Sequence, residues 1–280
     1  MEYPAQVQGS GNREQGSVPL TFYKKPALVV YVTCGDPDLP TTREIILAAI
    51  EAGADAIELG VPFSDPVADG PVIQRASERA LKRGTCLSQI LTLAAEIRQQ
   101  AQSTGLIVFS YLNPILRMGM GKFCKVARAA GVDGVLVTDL PVEEAVEYLR
   151  AMREYDLSPV FLAAPTSPDA RLKRIGEASR GFVYAVSRTG VTGQRQQLAE
   201  DARKLVKRLR RITNLPVALG FGISSAEQFA EVGEFADAVV VGSAVVQTVE
   251  NNRGREAAAV GEFVRGLRGV GSRTPAVATK

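Results

Sequence analysis

Apolar and polar positions along this chain fall into two alternating rhythms. Ala27 to Cys34 is an unbroken apolar run rich in valine, which predicts a strand covered on both faces. Thr41 to Ala52 follows with apolar residues at helical spacing (Ile45, Ile46, Ala49, Ile50), and Gly53 stops it as a glycine just past a helix end should. The alternation then repeats. Strand Ala56–Gly60 precedes helices Val72–Lys82 and Leu87–Gln102, and strand Ile107–Tyr111 precedes Lys122–Ala130. Strand Gly134–Thr138 leads to Glu143–Tyr155, Pro159–Leu162 to Asp169–Ala178, and Phe182–Val186 to Leu198–Ile212. Strand Val217–Gly220 leads to Ala226–Val232, and strand Ala238–Val241 to helices Ala244–Glu250 and Glu256–Leu267.

Eight strands alternating with helices, undivided by any linker, predict a single-domain α/β fold: a (β/α)8 TIM barrel with extra helices. A doubly wound open sheet is the competing architecture. The barrel would occupy 20–268, after a loose N-terminal arm over 1–19 and before a disordered tail over 269–280. Ala52-Gly53-Ala54-Asp55 is echoed by Ala130-Gly131-Val132-Asp133, and more weakly by Phe235-Ala236-Asp237, marking repeated helix-to-strand turns.

The strand Ala56–Gly60 breaks into a loop rich in Pro, Asp and Gly that ends at Asp69-Gly70. Alternation along it puts Ala56, Glu58 and Gly60 on one face, with Ile57 and Leu59 on the other. If the apolar pair faces a covering helix, Glu58 points into the barrel between two very small neighbours, where space would be left for a ligand. A carboxylate there is partly desolvated, which raises its pKa and suits it to hold and return a proton near neutral pH. A plain structural ion pair across the barrel is the competing reading. Asp69 is a second carboxylate able to lean over the same cavity.

Composition narrows the chemistry further. With 280 residues, 46% of them hydrophobic, the chain can bury a full core. It has no histidine, so acid–base work falls to Asp, Glu, Tyr, Lys or Cys. Cys34, Cys86 and Cys124 are widely spaced and odd in number, which favours a reducing, cytoplasmic setting over a disulfide framework or metal cluster. A net charge of +3 implies neither nucleic acid nor a membrane surface as partner. The basic run Arg203–Arg211 reads as the solvated face of an amphipathic helix, because Leu198, Ala202, Leu205, Leu209 and Ile212 recur at helical steps.

In a barrel the site forms at the carboxyl ends of the strands, here Thr33, Glu58, Tyr111, Asp139, Tyr184, Gly220 and Gly242. The last connections carry a second signal: Ser187 to Gln194 contains two glycines, strand seven ends Gly220-Phe221-Gly222-Ile223-Ser224, and strand eight ends Gly242-Ser243-Ala244. Glycines let a phosphate approach backbone N–H groups, and a helix start adds a favourable dipole. The loop Ser187–Gln197 is long and polar enough to close as a lid.

Glu58 to Pro71 (ELGVPFSDPVADGP) closely resembles the signature of the tryptophan synthase α subunit. The resemblance continues through Tyr31 to Pro37, Pro141 to Glu144, Ser187 to Gly193 and Gly220 to Ser224. It implies a lyase that splits indole-3-glycerol phosphate into indole and glyceraldehyde 3-phosphate. On that resemblance Glu58 is the general acid–base, Asp69 accepts a hydrogen bond from the indole N–H, and Tyr184 lies beside the reacting glycerol. Tyr31, Phe109, Tyr111 and Thr192 would surround the indole and glycerol. Gly193, Gly222, Gly242 and Ser243 would hold the phosphate, and Thr192 would meet Asp69 on lid closure. No cofactor is implied in this chain and no metal. The implied partner is the tryptophan synthase β subunit, which carries PLP, in an αββα complex docked through Pro62–Pro71 and the segment Leu112-Asn113-Pro114-Ile115. A free-standing indole-releasing lyase, and an allosteric partner with vestigial activity, are the other readings. Two departures stand out. Pro4, Pro19 and Pro26 stand where relatives begin with a helix closing the barrel floor, a place Phe22 and Tyr23 would fill instead, and Phe109 replaces a common aliphatic residue in the indole pocket.

Overall fold

The structure, a computed structural model, describes residues 20, 22, 24–186, 195–220 and 222–269, with the backbone alone over 195–199. The strands are β1 (Ala27–Thr33), β2 (Ala56–Gly60), β3 (Gly105–Ser110), β4 (Gly134–Val137), β5 (Ser158–Val160), β6 (Leu162–Ala163), β7 (Val183–Val186), β8 (Val217–Gly220) and β9 (Ala238–Val241). All pair in parallel, in the order β5-β4-β3-β2-β1-β9-β8-β7-β6. The two ends of that order are consecutive pieces of one extended stretch, parted only at Phe161. The Phe161 carbonyl accepts the Tyr184 N–H at 3.1 Å. β5 and β6 therefore act as one strand that bonds β4 on one side and β7 on the other, and the sheet closes into the eight-stranded barrel that the alternation predicts.

The helices are α1 (Leu39–Glu51), α2 (Pro71–Lys82), α3 (Leu87–Gln100), α4 (Leu112–Met118), α5 (Met120–Ala129), α6 (Val146–Glu154), α7 (Asp169–Ala178), α8 (Arg195–Arg210), α9 (Ala226–Gly233), α10 (Ser243–Asn251) and α11 (Glu256–Leu267). Two differ from the sequence reading. The stretch expected to run as one helix over Glu143–Tyr155 is a 3-10 turn (Val142–Glu144) followed by α6. α4 lies where the chain reads as a plain segment; its Pro114 falls in the first turn, where a missing N–H costs nothing.

Strand alternation splits the apolar residues into two cores. Leu28, Val30, Ile57, Leu59, Leu106, Val108, Val239 and Val241 face the helices. Val29, Ala56, Ile107, Leu136, Val160, Tyr184, Ala218 and Val240 fill the barrel interior. The floor of that interior is closed by Leu20 and by Phe22, whose ring lies 5.2 Å from that of Phe182. Leu20, which the sequence does not single out, packs over three glycines. A Cβ built on Gly105, Gly134 or Gly181 would come within 3.3, 3.1 and 2.8 Å of Leu20. Tyr23, the arm over 1–19, residues 270–280 of the tail and residues 187–194 of the expected lid lie outside the described residues.

The echoed Asp turns are clamps at the floor. Asp55 accepts the N–H of Leu28 at 2.8 Å, Asp133 that of Leu106 at 2.8 Å, and Asp237 that of Val217 at 3.0 Å. Each ties the start of one strand to the next. Arg268 bonds both Asp55 and the Gly53 carbonyl, and Arg98 repeats the arrangement on Asp133 and the Gly131 carbonyl. The basic face of α8 is partnered by acids: Arg203 with Glu234, Lys204 with Glu200, Arg208 with Asp169 and Arg210 with Asp237. That pattern fits a solvated protein surface. Among the described residues no helix is long and apolar enough to cross a membrane, and no cluster of three metal-ligating side chains occurs.

Candidate active site

β2 spans Ala56–Gly60, so the parity argument applies as stated: Ile57 and Leu59 face the helices, and Ala56 lies in the barrel interior. Glu58 points the same way as Ala56, with Tyr31 of β1 and Ile107 of β3 directly beside it in register. Its side chain is buried, at 1% exposure, and neither carboxylate oxygen has a hydrogen-bond partner among the described residues. Among the described residues no ion pair holds it, which counts against the plain ion-pair reading. Burial lifts its pKa to about 8, so the acid carries its proton at neutral pH.

The space above Glu58 differs from the sequence reading. Gly60 was expected to leave room for a ligand, but the Tyr31 hydroxyl fills it, 2.3 Å from where a Gly60 Cβ would stand. Gly220 and Tyr184 repeat the arrangement at 2.6 Å. Two phenols thus rise from β1 and β7, each over a glycine at the end of a neighbouring strand. Burial, with the Asp69 charge next, pushes the Tyr31 phenol well above its ordinary pKa. Burial followed by the Glu58 charge does the same to Tyr184, so both remain hydroxyl donors.

Asp69 ends the loop after β2 and is half-buried. Tyr111 donates to its carboxylate at 3.2 Å while accepting the Ala68 N–H at 3.0 Å, and Phe63 stacks on the Tyr111 ring at 4.9 Å. Tyr111 therefore fixes the loop; Phe63, not singled out from sequence, backs it. Burial raises Asp69 to about 6, against the lowering pull of the Tyr111 hydrogen bond. Phe109 meets Tyr31 edge-on at 5.2 Å, and the two rings share one apolar cluster with Val72, Ile73, Ala76 and Val246. That apolar wall suits a flat aromatic ligand. Asp139 takes no part in it: its carboxylate accepts the Leu112 N–H at 2.7 Å and caps α4.

On the far side, Gly242 caps α10 and lies against Tyr31, with a built Cβ 3.5 Å from the tyrosine's own. The N–H groups of Ser243, Ala244 and Val245 head the helix without carbonyl partners inside it, since the first helical bond runs from Val246 to Gly242 at 3.1 Å. Such a helix start attracts an anion. Gly222, after β8, has φ +48°, a conformation that favours glycine. Thr192, Gly193 and Phe221 lie outside the described residues.

The sequence and fold that carry this geometry match a known family. A family model described as tryptophan synthase alpha chain matches residues 20–268. A tryptophan synthase alpha chain of Solibacter usitatus is 50% identical over 252 residues, covering 89% of this chain and 94% of that protein. The chain belongs to the tryptophan synthase alpha chain family. Among solved structures, the tryptophan synthase A-subunit of Pyrococcus furiosus matches with a TM-score of 0.82 at 42% identity, covering 88% of this chain and 99% of that one. An aminoacrylate-bound tryptophan synthase from M. tuberculosis matches with a TM-score of 0.78 at 38% identity, covering 87% and 94%. The tryptophan synthase alpha fold is thus shared over nearly the whole barrel.

Proposed function

We propose that this chain is the lyase subunit of tryptophan synthase, cleaving indole-3-glycerol phosphate to indole and glyceraldehyde 3-phosphate. The observation that carries the reading is a buried Glu58 with no hydrogen-bond partner among the described residues, beside a second carboxylate, Asp69, held by Tyr111; burial raises the first to about 8 and the second to about 6. Two titratable groups pushed apart in this way divide into an acid and a base.

In this reaction Glu58 begins protonated and delivers its proton to indole C3, which leaves positive charge on the indolenine nitrogen. Asp69, ionised and held by Tyr111, accepts the indole N–H and stabilises that charge. Glu58, now a carboxylate, removes the proton of the glycerol hydroxyl next to the ring. As the hydroxyl becomes a carbonyl, the carbon–carbon bond breaks and its electrons restore the indole. The proton returns to Glu58, so the cycle closes without a cofactor from this chain. Tyr184 stands beside the reacting glycerol, Tyr31 and Phe109 contact the ring, and Gly222, Gly242 and Ser243 receive the phosphate. Gly193 and Thr192 would complete the site from the loop after β7.

Indole then passes to a PLP-dependent β subunit. Val67, exposed at 86%, lies on the first segment assigned to that contact, and Leu116, exposed at 55%, directly follows the second, within an αββα assembly. The test is steady-state indole release with and without added β subunit. Strong activation by the partner supports the complex, a high rate alone supports a free-standing lyase, and no turnover in either condition contradicts the reading.

A further inference from the structure

We propose that Arg79 and Glu250 form a cross-brace that sets the distance between the phosphate seat and Asp69, making both of them positioning residues for the lyase reaction. This inference rests on the reading of Gly242 and Ser243 as that seat. The argument starts from where three elements begin and end. α2 starts at Pro71, two residues after Asp69, and α10 starts at Ser243, so the heads of the two helices carry the two ends of the substrate site. β1 carries Tyr31, the phenol between them. Tyr31, Ala76 and Val246 form one buried cluster, so the three elements meet beneath the brace.

Six side chains tie the later turns of α2 and α10 to each other and to the turn after β1. Arg79 grips Asp36, in the turn after β1, through two bonds of 2.9 and 2.7 Å. Its remaining nitrogen donates to Glu250 in the last turn of α10 at 2.8 Å. Arg75, one turn earlier on α2, holds Glu250 through bonds of 3.0 and 2.7 Å. Gln247 adds a bond to Glu250 at 3.0 Å, and Arg253 lies 3.6 Å from Asp36. Bidentate guanidinium–carboxylate pairs fix angle as well as distance, unlike a single flexible contact. Asp36 is 2% exposed, so it needs this partner. What they fix is how α2 lies on α10, and through the helix heads where Asp69 stands relative to the anion.

Glu250→Ala is the discriminating variant, because it parts α2 from α10 while Arg79 stays on Asp36 and no buried charge is stranded. Glu250→Gln serves if the alanine form does not fold. Glu143→Ala, which removes an exposed partner of Arg171, controls for loss of a surface ion pair. The full chain is titrated with inorganic phosphate and assayed for indole release. A positioning role raises the phosphate Kd and the KM of the Glu250 variant between about 2- and 30-fold, with kcat reduced. The control leaves all three unchanged, and Arg79→Lys falls between because an ammonium makes only one point contact. Phosphate affinity, KM and kcat at wild-type values in the Glu250 variant, with only the melting temperature lowered, overturn the brace alone. A wild-type chain that binds no phosphate overturns the seat itself, and the brace with it.

Discussion

The Tyr31 hydroxyl occupies the place where Gly60 would carry a side chain, 2.3 Å from a Cβ built there. A glycine at the end of β2 is therefore a packing requirement of a tyrosine on β1, two residues beyond the Glu58 that faces it in register. Gly60→Ala forces the phenol to move and is expected to lower kcat. Tyr31→Phe in the same chain removes the colliding oxygen and restores part of the loss. Turnover unchanged by Gly60→Ala would show that the hydroxyl can leave freely.

The pH dependence of kcat/KM follows from the two carboxylates. Asp69 must be ionised to accept the indole N–H, so activity is lost as pH falls through about 6. Glu58 must be protonated to reach indole C3, so activity is lost as pH rises through about 8. The expected profile is a bell between those values. Asp69→Asn should weaken turnover less completely than loss of Glu58, erase the acid limb and leave the alkaline one.

Stability carries its own signature. The folded pKa of Glu58 is raised from 4.5 to about 8, so the folded state keeps a proton that the unfolded chain releases. Stability from this group is full below 4.5, declines between 4.5 and about 8, and is gone above that. Glu58→Gln has no proton to lose. It is expected to be more stable than wild type at pH 9 by up to about 4 kcal/mol, with the gap closing toward pH 5. Chemical denaturation at the two pH values checks the sign; a gap independent of pH would contradict the burial of an ionisable group.

At the floor, Leu20→Ala opens a cavity facing Gly105, Gly134 and Gly181, which have no side chains to fill it. The expected cost is about 2 to 4 kcal/mol of stability with KM unchanged, because the cavity lies at the opposite end of the barrel from the mouth. A thermal melt and a KM measurement separate the two effects.

Period-two and period-3.6 patterns make the barrel legible, and alternation along β2 groups Glu58 with Ala56 and Gly60, but which face turns inward is settled only by the helices that cover Ile57 and Leu59. The Asp turns could be read as repeats, but the arginines that lock two of them, Arg98 and Arg268, lie far away in the chain. Small residues are visible in a sequence, whereas the neighbour that fills their space is not. Hence Gly60 was read as an opening, and Leu20 was missed beneath three glycines. α4 escapes the pattern because its seven residues are too few to show a helical period, and its first-turn proline is compatible with a helix. The Arg75–Glu250–Arg79–Asp36 brace joins residues up to 214 positions apart (250 − 36), beyond the reach of any local pattern.

The central claim is that one buried, unpaired carboxyl group carries the proton in both directions. The most direct measurement is the steady-state rate of indole release from indole-3-glycerol phosphate by Glu58→Gln beside wild type, with inorganic phosphate binding measured on both. The account predicts a loss of at least ~10²-fold in rate with phosphate affinity retained. Near-normal turnover in the variant would take Glu58 out of the reaction.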